Sequence, residues 1–121
     1  MKTILLIDDE PELLELLEHF FKQLHYSVIS YPDAIAIETI KELSPDVIVL
    51  DHNLGQISGG DLCRQLKTDP ETQNIPVLML SNDARLPSLA KDSCADTYLE
   101  KPFDIAALAS AVKKIAMLEA S

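Results

Sequence analysis

The chain has 121 residues, of which 47% are hydrophobic and 25% are charged. This length predicts one domain with a sizeable buried core, and no apolar stretch approaches the roughly 18 residues that a membrane span needs. The formal net charge of −10, from 20 acidic and 10 basic residues, argues against direct binding of nucleic acids, which require a basic surface. The expected partners are therefore proteins.

The N-terminal sequence MKTILLIDDE contains a short apolar run that ends in three acids, so it does not fit a secretory signal peptide. We therefore expect a cytoplasmic location. Cys63 and Cys94 lack the spacing of a metal or redox motif, which predicts two reduced thiols.

The hydrophobic pattern predicts an alternation of strands and helices along the whole chain. Short apolar runs predict five strands, at residues 3–7, 26–30, 47–50, 75–80 and 96–100. Helix-start residues predict five helices, which begin at Pro11, at Pro32, near Gly60, near Pro87 and after Asp104. The first helix has an apolar stripe at residues 13, 16, 17, 20, 21 and 24. Strands that alternate with helices over short connections are parallel and joined by right-handed crossovers, which predicts a doubly wound α/β domain.

The central strand is the one that ends at Asp51. Residues 47–50 form an unbroken apolar run, as expected for a strand that is buried on both faces of a parallel sheet. Asp51 follows directly, so it should lie at the carboxyl edge, where open α/β sheets bind their ligands.

The other predicted strands also end in polar residues. Asp8 and Asp9 follow the first strand, Ser81 follows the fourth and Lys101 follows the fifth. Asp8, Asp9 and Asp51 would bring three carboxylates close together, and these repel one another unless a cation binds between them. Mg²⁺, which prefers oxygen ligands, suits that need. The metal, a lysine and a hydroxyl would together hold a group with several negative oxygens, such as a phosphoryl group.

The segments LLIDDE, SPDVIVLD, IPVLMLS and ADTYLEKPF stand in this order and spacing along the chain. In these segments the chain resembles the receiver domain of two-component response regulators, and the likeness covers essentially all 121 residues. The resemblance implies a single receiver domain over residues 1–121 with a five-stranded sheet in the flavodoxin-like order 2-1-3-4-5 and helices on both faces. The start at Met1 and the polar end near Ser121 favour a stand-alone domain.

The resemblance also implies roles for individual residues. Asp51 would be the phosphoacceptor, whose carboxylate attacks a phosphoryl donor to form an acyl phosphate. Asp8 and Asp9 would hold Mg²⁺ together with Asp51 and the backbone carbonyl of Asn53.

Three further residues match the family's pattern around the phosphoryl group. Ser81 stands where the family has a Thr or Ser that binds a phosphoryl oxygen, and Lys101 stands where its lysine pairs with the new charge. Tyr98 stands at the aromatic switch position that turns inward when the residue at Ser81 moves.

The implied function is signalling rather than enzymatic turnover of a substrate. A histidine kinase or a histidine phosphotransfer protein would phosphorylate Asp51, and a downstream protein would bind the switched surface, with only self-catalysed phosphotransfer and slow autodephosphorylation as chemistry. One alternative is a receiver-like module that binds partners without phosphorylation. Another is a Mg²⁺ phosphohydrolase, but that class has a DxDGT-like run after its first strand, which LLIDDEPE lacks.

The sequence departs from the family pattern at four positions. Gly55 and Ser58 replace the usual acid and proline arrangement after the phosphoacceptor, Asn82 replaces a small residue and Cys94 replaces a common glycine. We expect Asn82 to border the crevice and to slow phosphorylation and hydrolysis. The histidines have no mutual spacing for metal binding, although His52 follows Asp51 and could touch the pocket.

Overall fold

A computed structural model gives the arrangement of the chain. It describes residues 2–54, 57–81 and 95–120, with the side chains of the last helix described as far as Ala116. The strands are β1 (Thr3–Ile7), β2 (Ser27–Tyr31), β3 (Val47–Asp51), β4 (Val77–Ser81) and β5 (Thr97–Glu100). The helices in these residues are α1 (Pro11–Gln23), α2 (Ile37–Leu43), α3 (Gly59–Thr68) and α4 (Ile105–Ala120).

The five strands form one parallel sheet in the order β2-β1-β3-β4-β5. This order confirms the predicted doubly wound α/β fold. Every residue of β3 and β4 is buried, which agrees with the unbroken apolar runs in their sequences. No helix in the described ranges is both long enough and apolar enough to cross a membrane.

Alternate residues of the central strands face two separate cores. Ile4, Leu6, Val47 and Val49 pack with α1 and α4 on one face of the sheet. On the other face, side chains such as Leu5, Ile7, Ile48 and Leu50 pack with α2 and α3. Because side chains alternate along a strand, each central strand contributes to both cores and the sheet is held rigidly between two helical layers.

The buried face of α1 differs from the predicted stripe. Leu14, Leu17 and Phe21 are the buried residues of α1, whereas Leu16 is 54% exposed and Leu24 is 46% exposed. The spacing of the buried residues is still helical, but the stripe is rotated by about one residue. Leu17 and Phe21 of the predicted stripe are buried, and Leu13 and Phe20 pack against the core. The pattern therefore identified the side that faces the sheet but not the edges of the buried face.

The prediction that the second helix begins at Pro32 was wrong, because α2 begins at Ile37. Ala34 and Ile35 already pack on the second core from the connection before the helix. Ala36, the residue before α2, is extended with φ −67° and ψ 148° and supplies no side-chain cap.

The two remaining predicted helices have different outcomes. The helix predicted near Pro87, along with Gly55, Asn82 and Cys94, lies outside the described residues. The last helix is capped as predicted, since Asp104 Oδ1 accepts a hydrogen bond from Ala106 N at 2.9 Å.

The first residue of α3 lies against the end of β3. Gly59 N donates a hydrogen bond to His52 O at 2.7 Å. A Cβ atom on Gly59 would lie 2.1 Å from the backbone oxygen of Asp51 and 2.8 Å from the Cα of His52. These neighbours are backbone atoms that cannot move aside, so the close approach of α3 to Asp51 requires glycine here.

We therefore expect Gly59→Ala to lower the free energy of unfolding by about 1–3 kcal/mol, the usual cost of overpacking. Gly60→Ala is the matched control, because a Cβ on Gly60 would meet side-chain atoms instead of backbone, the His52 ring at 3.3 Å and Ser58 Oγ at 3.8 Å. Alanine is also the better helix former by about 0.5–1 kcal/mol, so the control should be close to wild type. Urea denaturation of both variants measures the difference, and equal midpoints would contradict the close approach.

Candidate functional site

Polar side chains from four strand ends lie together at the carboxyl edge of the sheet. Asp8 follows β1, Asp51 ends β3, Ser81 ends β4 and Lys101 follows β5. Backbone contacts hold this edge in place, since Lys101 N donates to Ser81 O at 2.9 Å. Asp8, Asp51 and Ser81 are buried. The parallel topology therefore brings together four residues that are separated by up to 93 positions in the chain.

The ammonium group of Lys101 lies among three carboxylates. Its Nζ atom is 2.9 Å from Asp8 Oδ2, 3.3 Å from Glu10 Oε1 and 3.7 Å from Asp51 Oδ1. Burial lowers the pKa of Lys101, but the hydrogen bond to Asp8 and the charges of Asp8 and Asp51 outweigh that effect and raise the pKa above its ordinary value. Lys101 is therefore a cation throughout the physiological pH range.

Burial and charge repulsion dominate at the two buried aspartates. Burial and the neighbouring Asp8 charge raise the pKa of Asp51 to about 7, while Lys101 and the Asn53 N–H oppose the rise and the Asp9 side chain adds to it. Burial also raises the pKa of Asp8, against the hydrogen bonds that it accepts from Glu10 N and Lys101. One lysine thus offsets only part of the repulsion.

The acids at the end of β1 form a set with metal-binding geometry. Asp8, Asp9 and Glu10 each offer a carboxylate oxygen, and these atoms lie within 4.8 Å of one another. Asp8 is buried, whereas Asp9 and Glu10 are exposed. Among the residues that the structure describes, Asp51 Oδ1 is buried and has no hydrogen-bond partner. An oxygen-rich, incompletely neutralised cluster of this kind fits a hard divalent cation.

Sequence reasoning did not select Glu10 as a site residue. Glu10 contributes a ligand atom to the acidic set and contacts Lys101 at 3.3 Å. The signal in the sequence was the third acid of the run Asp8, Asp9 and Glu10, which was interpreted only as a helix start.

Ser81 and Asn53 border the same edge, Ser81 at the end of β4 and Asn53 two residues after β3. Ser81 is fully buried, and the Asn53 side-chain Nδ2 lies 3.5 Å from Ser81 Oγ, at the long limit of a hydrogen bond. Asn53 itself is exposed, and its backbone N–H donates to the Asp51 carboxylate. Asn53 therefore connects the Asp51 carboxylate to the Ser81 hydroxyl.

Tyr98 does not lie in the cluster. It occupies the second position of β5, pairs with Met79 in β4 and is 44% exposed. Its neighbours in a groove of about 470 Å³ come from β5 and α4, including Leu99 and Ala111. Tyr98 thus faces outward in this structure, three residues before Lys101 in the chain.

His52 also has a contact that the sequence pattern did not identify. Its ring is half-buried, and Nδ1 accepts a hydrogen bond from Gly60 N at 3.3 Å. The imidazole thus contacts the start of α3. The sequence showed only that His52 is adjacent to Asp51.

The raised pKa of Asp51 predicts how stability depends on pH without metal. In the unfolded chain this carboxyl titrates near pH 4, whereas in the folded protein it titrates at about 7. The native state therefore holds the extra proton between these values, and stability falls as the pH rises through them. Asp51→Asn removes the effect, so it should raise the free energy of unfolding at pH 8 by on the order of 4 kcal/mol, about 1.4 kcal/mol for each unit of pKa shift. The gain should disappear near pH 4.

Denaturation in EDTA across this pH range provides the measurement. Asp61→Asn is a control of opposite sign, because hydrogen bonding with Ser58 and the nearby Arg64 lower the pKa of the exposed Asp61. That variant should lose stability at neutral pH and approach wild type in acid. A pH-independent effect of Asp51→Asn would contradict the assigned cause.

Comparisons with known proteins show the family to which this sequence and fold belong. The family model described as "Response regulator receiver domain" matches residues 4–113. The chain is 35% identical over 118 residues to the DNA-binding dual master transcriptional regulator RpaA of Synechocystis sp., covering 95% of this chain and 49% of that protein. It is 33% identical over 119 residues to the phosphate regulon transcriptional regulatory protein PhoB of Pseudomonas aeruginosa, covering 94% of this chain and 51% of that protein.

A solved structure supports the same assignment. The signal receiver domain of a signal transduction histidine kinase from Syntrophus aciditrophicus superposes with a TM-score of 0.84 at 30% identity, covering 97% of this chain and 91% of that chain. This chain spans about half the length of the two transcriptional regulators. The matched family model covers most residues of this chain. The chain therefore belongs to the response regulator receiver domain family.

Proposed function

We propose that residues 1–121 act as one receiver domain of a phosphorelay, in which Asp51 accepts a phosphoryl group. The position of the Asp51 carboxylate supports this most strongly. It ends the central strand, one of its oxygens has no hydrogen-bond partner in the described part of the chain, and a lysine lies 3.7 Å from that oxygen. This combination suits a nucleophile that must remain available for reaction.

In the proposed reaction, a carboxylate oxygen of Asp51 attacks the phosphorus of the donor. The bond between phosphorus and the donor's leaving atom breaks, and that atom keeps the electron pair. The product is an acyl phosphate on Asp51. Only the ionised carboxyl is nucleophilic, so the pKa of about 7 makes the proton on Asp51 a direct competitor of the reaction.

The acidic set is the proposed site of Mg²⁺. Asp8, Asp9 and Asp51 would supply carboxylate oxygens and Asn53 its backbone carbonyl, as the family pattern implies, with Glu10 as a further acid within reach. When bound, the ion would neutralise the carboxylates and the developing charge on the phosphoryl oxygens. The carboxylates themselves are held by Lys101 and by the backbone N–H groups of Glu10 and Asn53.

Ser81 and Lys101 are the proposed groups that hold the phosphoryl oxygens. Lys101 brings a fixed positive charge to within 3.7 Å of Asp51, and Ser81 brings a hydroxyl to the end of the adjacent strand. We further propose that Ser81 moves towards the phosphoryl group and that Tyr98, now 44% exposed, turns inward with it. The surface of β5 and α4 would change as a result, which shifts a pre-existing equilibrium between two states.

The proposed partners follow from this chemistry. A histidine kinase or a histidine phosphotransfer protein would donate the phosphoryl group, and a downstream protein would bind the changed surface. The alternative is a receiver-like module that acts without phosphorylation. Incubation with acetyl phosphate and Mg²⁺ would support this alternative if the chain took up no phosphoryl group.

The first prediction is that acetyl phosphate and Mg²⁺ add one phosphoryl group to the chain, on Asp51. Intact-mass measurement detects the addition, and Asp51→Asn should abolish it. Asp33→Asn, which changes an exposed aspartate away from the site, is the control and should behave as wild type. Undiminished modification of Asp51→Asn would place the reaction elsewhere.

The second prediction is that Mg²⁺ alone stabilises the protein by binding the folded state. At a concentration a hundredfold above Kd the gain is about 2.7 kcal/mol, which a thermal melt resolves. Asp9→Ala should remove most of the gain, whereas Glu12→Gln, on the exposed first turn of α1, should retain it. If Asp9→Ala kept the full effect, the ion would bind at another position.

The third prediction concerns the switch. Phosphorylation should slow amide exchange in residues 95–98 and 104–112, because an inward Tyr98 would pack where it is now exposed. Tyr98→Ala should weaken this response without preventing phosphorylation. Exchange that changes only in the segment after Asp51 would argue against a switch through Tyr98.

A further inference from the structure

His52 holds the start of α3 with two hydrogen bonds. Its backbone oxygen accepts from Gly59 N at 2.7 Å, and its Nδ1 accepts from Gly60 N at 3.3 Å. Both N–H groups belong to the first turn of a helix, where no partner exists within the helix itself. Ser58 Oγ accepts from the next amide, that of Asp61, at 3.1 Å. His52 thus caps α3 from the position directly after β3, the strand that ends at Asp51.

These two bonds also bring Gly59 and Gly60 back to the end of β3. Residues 53–58 lie between His52 and Gly59, so the two ends of this segment are joined at His52. His52 N donates to Leu80 O at 2.9 Å, which anchors the same residue to β4. His52 is therefore held on one side by the sheet and on the other by α3, at the point where the chain leaves β3.

The residue that this anchorage positions is Asn53. Its N–H donates to the Asp51 carboxylate, and its side-chain amide lies 3.5 Å from Ser81 Oγ. Asn53 is exposed, so packing contributes little to holding it in place. Beyond these two polar contacts, its position is set by the anchored residue that precedes it, His52.

We infer that His52 is a positioning residue for the reaction at Asp51: by accepting hydrogen bonds from Gly59 and Gly60, it holds Asn53 against the Asp51 carboxylate and the Ser81 hydroxyl. The imidazole touches none of the reacting atoms. Its consequence for the reaction rate rests on the proposed phosphorylation of Asp51, whereas its consequence for the position of Asn53 does not.

Two variants of equal shape separate the hydrogen bond from simple packing. In His52→Asn the side-chain oxygen lies as many bonds from the backbone as Nδ1 does, so it can accept from Gly60 N. In His52→Leu the side chain has the same branching but offers a methyl group instead of an acceptor. The asparagine variant is therefore the expected rescue of the leucine variant.

Amide exchange without any phosphodonor tests the positioning itself. In His52→Leu we expect the amides of Asn53 and Gly60 to exchange about fivefold faster, as expected for the loss of one hydrogen bond, while β1 is unchanged. In His52→Asn they should stay close to wild type. Unchanged exchange in the leucine variant, or equal acceleration in both variants, would overturn the inference. His52→Ala replaces leucine in this comparison if the leucine variant does not fold.

Phosphorylation with acetyl phosphate and Mg²⁺ tests the consequence for the reaction. The rate should fall about fivefold in His52→Leu and recover in His52→Asn. Faster exchange with an unchanged rate would overturn the positioning role. A wild-type protein that takes up no phosphoryl group would instead refute the proposed function, and the exchange experiment would still decide whether His52 holds Asn53.

Discussion

The contact on which the site depends is the one between the Lys101 ammonium and the carboxylates of Asp8, Glu10 and Asp51. Two of these acids are buried, and buried carboxylates close together cannot all remain ionised without a cation. Lys101 joins β5 to β1 across the sheet, and its shortest contact, at 2.9 Å, goes to Asp8. The site is thus a charge cluster that is only partly neutralised.

The partial neutralisation has a cost and a use. An Asp51 carboxyl with a pKa of about 7 opposes folding at neutral pH, since its charged form lacks full compensation. The rigid framework offsets this cost, because β3 and β4 are buried along their whole length between two hydrophobic cores. Incomplete charge compensation of this kind is typical of functional sites, because the groups then remain available to bind a ligand.

The path from Asp51 to α3 links this cluster to the rest of the fold. Gly59 allows the helix to approach within contact of the Asp51 backbone, and His52 supplies acceptors for the first N–H groups of α3. Asp51 is therefore adjacent in the chain to His52, which is hydrogen-bonded to the first turn of α3. Tyr98 lies in β5, two strands away from β3 in the sheet, and its exposed aromatic ring borders α4.

The sequence by itself determined the fold class and the residues of the carboxyl edge, because buried parallel strands have apolar runs and the polar residue that ends each run is visible. It did not determine the edges of the buried face of α1, since Leu14 and Leu16 are equally apolar, nor that α2 begins only at Ile37 after Ala34 and Ile35 have packed on the core. Only the tertiary structure gave the distances from Lys101 to the three acids, the capping role of His52 and the inclusion of Glu10 in the acidic set. The Lys101 contacts to Glu10 and Asp8 join residues 91 and 93 positions apart, and the other two features depend on the local course of the backbone; neither kind of contact leaves a periodic signal in the sequence.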